Sequence, residues 1–308
     1  MIGGSLELSC ACCGNMTIDD LVFHDGSTRM GVLGGDAVYS AIGASLWGVG
    51  VSLLSVAGPD YPVSRLSESF GIRTTALVTK NRPSLRNWGL YEKDGTRQFI
   101  FRSPTDQWAD YSPRPGDIPP DMLKGSFFHC APVPWDMQID LLRHARASGA
   151  RFISVDPAYQ YLDRISDAEL GKLLRHADAF LPSRQEVRAM YPGATPDEAL
   201  DTLIRHYPAL SVIVMKLGED GAIGYDRAHN ARFRIPAFPA RAVDQTGAGD
   251  SFCGGFIAGY ALCEDAKQAA LHGAVAASFV VETEGTLGLA GITRAMAESR
   301  LSALAGNA

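Results

Sequence analysis

The sequence predicts an α/β fold: a mostly parallel central sheet flanked by helices, with a small discontinuous β-sheet standing off it. Two observations predict the core. Short apolar runs recur along the 308 residues, and helical patterns separate them, the rhythm of βαβ units. A third predicts the second sheet, because two segments alternate in polarity as one-sided strands do.

Taken in order, residues 5–13 are a near-continuous apolar run ending at Gly14, suited to a buried parallel strand. SFFHCAP (126–132), RFISVDP (151–157), DAFLPS (178–183) and SVIVMKLG (211–218) repeat that pattern. WDMQIDLLRHARASG (135–149) and PDEALDTLIRHY (196–207) have helical spacing. Asp197 and Glu198 occupy the first turn of the second, where the helix dipole favours acids. A hairpin is expected at 221–238, with AHN between GAIGYDR and ARFRIPAF, and 264–304 reads as two helices joined by ETEGTLGLAGIT. The alternating segments are 20–33, around Asp25-Gly26, and 74–102, with the hairpin signal Lys93-Asp94-Gly95-Thr96 between NWGLYE and RQFIF. The expected division is a core of 1–19, 34–73 and 103–308 and a lid of 20–33 and 74–102, because a small sheet at the mouth of an α/β core can close over a site.

Composition excludes several functions. The net charge is −6, and Lys and Arg are scattered without a basic block, so neither nucleic acid nor an anionic membrane is an expected partner. No uncharged apolar run reaches spanning length. The N-terminus has no basic n-region and Glu7 interrupts its apolar stretch, so a signal peptide is not expected. Six cysteines in a chain this long make no disulfide framework, and a cytoplasmic location is expected. Cys10, Cys12 and Cys13 have a spacing unlike usual zinc patterns, and no Cys or His pair completes them. Buried strand cysteines are the expected reading.

The stretch that carries chemistry is AVDQTGAGDSFCGGF, 242–256. An extended segment ends near Asp244, and SFCGGFIAGYALC has small and apolar residues at helical spacing, so Gly247-Ala248-Gly249 is expected at a helix N-terminus. Free N–H groups and the helix dipole favour an anion there, typically phosphate. Asp250 then falls in the first helical turn, beside that anion. A carboxylate in this position can take a proton from a hydroxyl that attacks the phosphate. The plain alternative is a capped helix with an acid in its first turn.

DQTGAGDSF closely resembles the C-terminal signature of the ribokinase-like (phosphofructokinase-B) carbohydrate kinases. GGDAVYSAIGASLWGVGVSLLSVAGPDYP (34–62) is similar to the N-terminal region of that family, and GNMTIDD (14–20) to its Gly-x-x-x-x-Asp. LPSRQE (181–186) resembles its Asn-x-x-Glu element, and KLGEDGA (216–222) its nucleotide-side strand and turn. The matches run in the family's order over about 14–285, and together they are far more specific than any one.

The resemblance implies a ribokinase-like fold and an ATP- and Mg2+-dependent kinase acting on an alcohol. Asp250 would be the base, with Gly247, Ala248 and Gly249 as the anion hole. Asp19 matches the acid that binds sugar hydroxyls; Asp20 would point to the opposite side. Gly34 and Gly35 would let the chain approach the substrate, and Asp36 would face hydroxyls or begin the following helix. Tyr39 stands where many members carry Asn, which suggests a bulkier or ring-bearing substrate or a Tyr packed under the lid. Glu186 matches the glutamate that organises Mg2+ through water, with Ser183 in place of the usual Asn. Lys216 replaces a common Thr and would reach a phosphate or lie in solvent; Gly218 and Gly221 would form the nucleotide-side turn, with Gly249 opposite.

Asp244 and Thr246, with Gly285 nearby, match positions that hold a monovalent cation such as K+ in some members, although an Asp here also anchors a turn. Of the lid arginines Arg86, Arg97 and Arg102, one could close on an anionic group; the alternative is that they line solvent or an oligomer face. VDPAY (155–159) partly resembles the Asp-x-Asn of keto-sugar-acid kinases, but Ala158 replaces the Asn. The expected acceptor is a small sugar or sugar acid. A nucleoside or riboside is the alternative, favoured by Tyr39, Trp88 and Tyr91. A non-catalytic sugar- or nucleotide-binding protein is a third reading, against which the intact Asp250 and its turn argue. A homodimer through the lid is the expected assembly.

Overall fold

The apolar runs become the strands of one sheet. The computed structural model describes residues 8–93, 97–102 and 107–306. Its strands in chain order are β1 (Ser9–Cys13), β2 (Thr17–Val22), β3 (Thr28–Gly34), β4 (Gly50–Leu54), β5 (Val56–Ala57), β6 (Val78–Thr79) and β7 (Leu85–Tyr91). There follow β8 (Arg97–Phe101), β9 (Phe127–Cys130), β10 (Phe152–Val155), β11 (Ala179–Phe180), β12 (Val212–Lys216), β13 (Ala222–Asp226) and β14 (Ala231–Ile235). The large sheet has the order β14-β13-β12-β11-β10-β9-β1-β4. It is parallel from β4 to β12, and β13 and β14 add an antiparallel hairpin whose turn residue Asn230 is left-handed at φ 48°.

Helices on both faces explain why β1 reads as apolar throughout. Cys10 and Cys12 point into one core, with residues of the helices Asp36–Ser45, Ala248–Cys263 and Ala266–Val281. Ala11 and Cys13 point into the other, with residues of Trp135–Ala147, Asp167–Leu174 and Pro196–His206. The three β1 cysteines are thus buried strand residues. The last of these helices begins where its sequence says it should: Thr195 Oγ1 accepts from Glu198 N at 3.3 Å, and Glu198 returns the bond to Thr195 N. On the first face the helices touch backbone to backbone. A Cβ on Gly254 would overlap the carbonyl oxygen of Ser40, and one on Gly255 would stand 2.7 Å from His272 O.

The small sheet has the order β3-β2-β7-β8, with β2 and β7 parallel and the outer pairs antiparallel. Its limits differ from those expected for the lid. β2 begins at Thr17 and β3 runs to Gly34. Val78–Thr79 pairs with Val56–Ala57 in a separate two-stranded sheet. The chain after it stays with the core because Asp60 accepts from Ser84 N at 2.7 Å and Tyr111 donates to Arg82 O at 3.0 Å. β7 and β8 flank the expected hairpin turn; of that turn, 94–96 lie outside the described residues. The expected strand over 5–13 is seen from Ser9, and residues 1–7 are likewise outside.

Candidate active site

Parallel strands end on one edge, and that edge collects the polar residues. Asp156 follows β10, Ser183 and Glu186 follow β11, and Lys216 ends β12, three neighbours in the sheet. Ser183 bridges to Lys216, which brings the helix Arg184–Met190 beside it. Glu186 accepts from Ser183 N at 2.5 Å, closing a capping box. Lys216 is buried, not a solvent lysine: its Nζ donates to Asp156 Oδ2 at 2.6 Å and lies 3.3 Å from Cys253 Sγ. Burial works to discharge the ammonium, but Asp156 outweighs it, so the pKa of Lys216 ends above that of an ordinary lysine. Burial pushes the Glu186 carboxyl up, against the pull of Lys216.

The helix Ala248–Cys263 starts on this same edge. Gly247 caps it in the left-handed region at φ 76°, and a Cβ there would strike the ring of Tyr39. Both facts require glycine. First-turn amides have no partner inside their own helix; that of Ala248 is used within the turn, donating to Gln245 O at 3.2 Å. A Cβ on Gly249 would lie 3.7 Å from Lys216 Nζ, so the bare turn and the ammonium face one space. That cradle fits a phosphate. Asp250 is half-buried in the first turn, and its carbonyl accepts from Ser40 Oγ at 3.1 Å.

Asp19 is in the small sheet, directly across from Asn87. Its Oδ1 accepts from Asn87 Nδ2 at 3.0 Å and its Oδ2 from Thr17 Oγ1 at 3.1 Å. Gly34 leaves room for this carboxylate, since a Cβ there would overlap Oδ2. Burial pushes Asp19 up to about 7, against the hydrogen bonds from Asn87 and Thr17. Asp20 faces the other way, accepting from Gly31 N at 2.7 Å and pairing with Arg102, whose guanidinium lies 4.8 Å from the centre of the Trp88 ring. Strand alternation puts Tyr91 on the face of Asn87 and Trp88 on the opposite one. Tyr91 reaches the loop before the helix, bonding Thr246 and standing 3.4 Å from Asp244.

Other predicted residues have structural partners. Asp36 Oδ1 accepts from Asn15 N and Ala37 N, each at 2.7 Å, which makes it a helix-start acid tying down the β1–β2 connection. Burial and the nearby Asp250 charge hold its carboxyl well above the usual range. A Cβ on Gly35 would enter the Asn15–Thr17 backbone, so this glycine admits the chain itself. Tyr39 is buried, with its ring against the Gly247 turn. Asp244 Oδ1 accepts from Thr246 N at 2.8 Å and Thr246 Oγ1 at 2.6 Å, the anchored turn. Asp244 and Gly285 line a cavity of about 150 Å3 with Phe23, Arg29 and Val32. Gly218 and Gly221 bracket a short 3-10 turn, both left-handed, and Arg184 donates to Leu217 O at 2.8 Å just before it. Arg86 pairs with Asp60 at 3.2 Å and Arg102 with Asp20; the Arg97 side chain lies outside the described residues.

Sequence reasoning missed Asn87 and Cys253, and gave Asp156 of VDPAY no part in the site. Asp156 had a signal, an acid at the end of a predicted parallel strand. Asn87 had none, because its meaning lies in a strand register 68 residues from Asp19. Among the described residues no three of His, Cys, Asp or Glu converge to hold a metal directly, and no helix is long and apolar enough to cross a membrane.

The geometry has known counterparts. The chain is 29% identical over 253 residues to a cytidine kinase of Thermococcus kodakarensis, covering 80% of this chain and 86% of that one. It is 26% identical over 299 residues to a nucleoside kinase of Methanocaldococcus jannaschii, covering 92% and 93%. A ribokinase-like protein of Escherichia coli, solved with ATP and Mg2+, superposes with a TM-score of 0.76 at 20% identity over 97% of this chain and 100% of that one. The sequence profile of the pfkB family carbohydrate kinases matches residues 19–290. The chain therefore belongs to the pfkB family of carbohydrate kinases, phosphotransferases with an alcohol acceptor, in the ribokinase-like fold.

Proposed function

We propose that this protein phosphorylates a hydroxyl of a nucleoside or related riboside, using ATP and Mg2+, with a monosaccharide or sugar acid as the alternative acceptor. The observation that carries the reaction is Asp250 in the first turn of a helix whose glycine start faces a buried ammonium. ATP with Mg2+ supplies the phosphoryl group and neutralises part of its charge. Asp250 takes the proton of the acceptor hydroxyl as that oxygen attacks. The Gly247–Gly249 turn and Lys216 hold the charge on the moving group. Glu186, half-buried beside Lys216, would hold Mg2+ through its water shell. Gly218 and Gly221 shape the nucleotide side.

Asp19 with Asn87 suits the adjacent hydroxyls that riboses and other sugars share. The two nucleoside-kinase relatives weight the acceptor toward a nucleoside, beyond the sugar expected from sequence. The small sheet acts as the lid that excludes water, and its exposed edges fit a homodimer. K+ at Asp244, Thr246 and Gly285 is the remaining element; equal rates in Na+ and K+ would remove it. An ADP-release assay across nucleosides, sugars and sugar acids identifies the acceptor. Asp250→Asn is expected to lower kcat at least ~10²-fold while ATP still binds; near-normal turnover would sink the assignment.

A further inference from the structure

We infer that Asp156 is a positioning residue of the phosphoryl-transfer site: it fixes the Lys216 ammonium beneath the Gly247–Gly249 turn, where that charge meets the terminal phosphate. The inference rests on the kinase reading above. Lys216 Nζ sits 2.6 Å from Asp156 Oδ2, with Cys253 Sγ 3.3 Å from the nitrogen and 3.4 Å from the same oxygen. The three come from β12, the end of β10 and the helix that carries Asp250, so the pair joins the sheet edge to the anion turn. The ammonium is 3.7 Å from where a Gly249 side chain would begin. Glycine at 249 keeps the space between the turn and the ammonium free of side chain.

A buried ion pair is a poor way to stabilise a core, because desolvating both charges offsets their attraction, and apolar residues of similar size serve as well. This pair is also incomplete as structure. Asp156 is 3% exposed, yet its Oδ1 has no hydrogen-bond partner among the described residues. A pair serving packing alone would have that acceptor satisfied. One oxygen holds the lysine, and the other remains open at the sheet edge that Glu186 shares.

The test separates charge from packing. In Asp156→Leu/Lys216→Met an apolar pair replaces the ionic one. Asp156→Asn tests the aspartate by itself: a purely structural role lowers its melting temperature and leaves kcat near wild type, whereas the positioning role lowers kcat at least tenfold, and near-normal kcat in that variant overturns the inference. A pair serving packing alone, with Lys216 away from the phosphate, predicts that both melting temperature and kcat of the double variant stay near wild type. The positioning role predicts a wild-type melting temperature with kcat lower by ~10² or more, the scale of losing one transition-state donor. Calorimetry supplies a readout without turnover: affinity for AMP-PNP should fall at least tenfold in Lys216→Met, while affinity for ADP changes less than threefold. Equal losses for both nucleotides, or near-normal kcat in the double variant, overturn the inference. If neither variant folds, Lys216→Arg decides: charge kept against Asp156 should preserve the AMP-PNP to ADP ratio, and its loss refutes the pair's role. Wild-type protein inactive on every alcohol would instead refute the kinase reading, and the affinity ratio would still report on the pair.

Discussion

In the proposed site, Asp19 would tie acceptor recognition to pH. Its carboxyl sits between Asn87 and Thr17 in the small sheet, and burial raises it from 3.8 to about 7. The folded value exceeds the unfolded one, so the stability contributed by the neutral acid is fully present below about pH 4. It is lost as pH rises toward and through about 7. The difference between the two forms is on the order of 4 kcal/mol. Asp19→Asn should therefore melt higher than wild type at pH 8 and gain much less at pH 4. A gain of equal size at both would contradict the buried acid. In wild type the acceptor KM should fall as pH rises through about 7, because the ionised form accepts hydroxyl hydrogen bonds. Asp19 was a candidate from sequence because its spacing from Gly14 matched a pattern. Asn87 was not, and of Asp156 only the strand-end acid in VDPAY was, since each meets its partner 68 or 60 residues away.

At the scale of elements, alternation and apolar runs predicted most of the molecule. Each parallel strand of the large sheet falls within a run read from sequence or, for β4, in the segment after the Gly-Gly helix. The two-residue pair Val56–Ala57 and Val78–Thr79 escaped, because Val78–Thr79 has no periodicity to show, and its attachment depends on Asp60 and Tyr111 far along the chain. The glycines of SFCGGFIAGY were legible as close packing, though not against which partner. Gly254 meets the Ser40 carbonyl, and Ser40 in turn bonds the carbonyl of Asp250. Gly254→Ala should destabilise the fold by about 1–3 kcal/mol, the usual range for overpacking. It should also lower kcat, since separating the helices shifts Asp250 away from Asp36 and the turn. Unchanged thermal melting in that variant would show that the contact yields freely.

For the whole molecule, the small sheet joins the core through short connections, Gly14–Met16 from β1 to β2 and Gly35 from β3 to the helix Asp36–Ser45. The outer strands of the small sheet expose Met30 at 58%, Phe99 at 43% and Ile100 at 46%. Exposed apolar edge strands are surfaces that other chains cover. Ile100→Lys should convert a dimer to a monomer in sedimentation velocity; a wild-type protein that sediments as a monomer removes the assembly. The existence of this sheet could be read from alternating polarity, whereas its partnership with the core could not, because Tyr91 finds Thr246 only in three dimensions.

In the proposed reaction, the carboxylate that would read the acceptor and the carboxylate that would activate it belong to different sheets' territories. Asp19 and Asn87 ride on the small sheet; Asp250, Lys216 and the glycine turn are anchored to the large one. A chain built this way can change its diet without relearning its chemistry. On that reading, substitutions around Asp19 and Asn87 in β2 and β7 would select a new hydroxyl, provided Tyr91 keeps its bond to the loop before the turn.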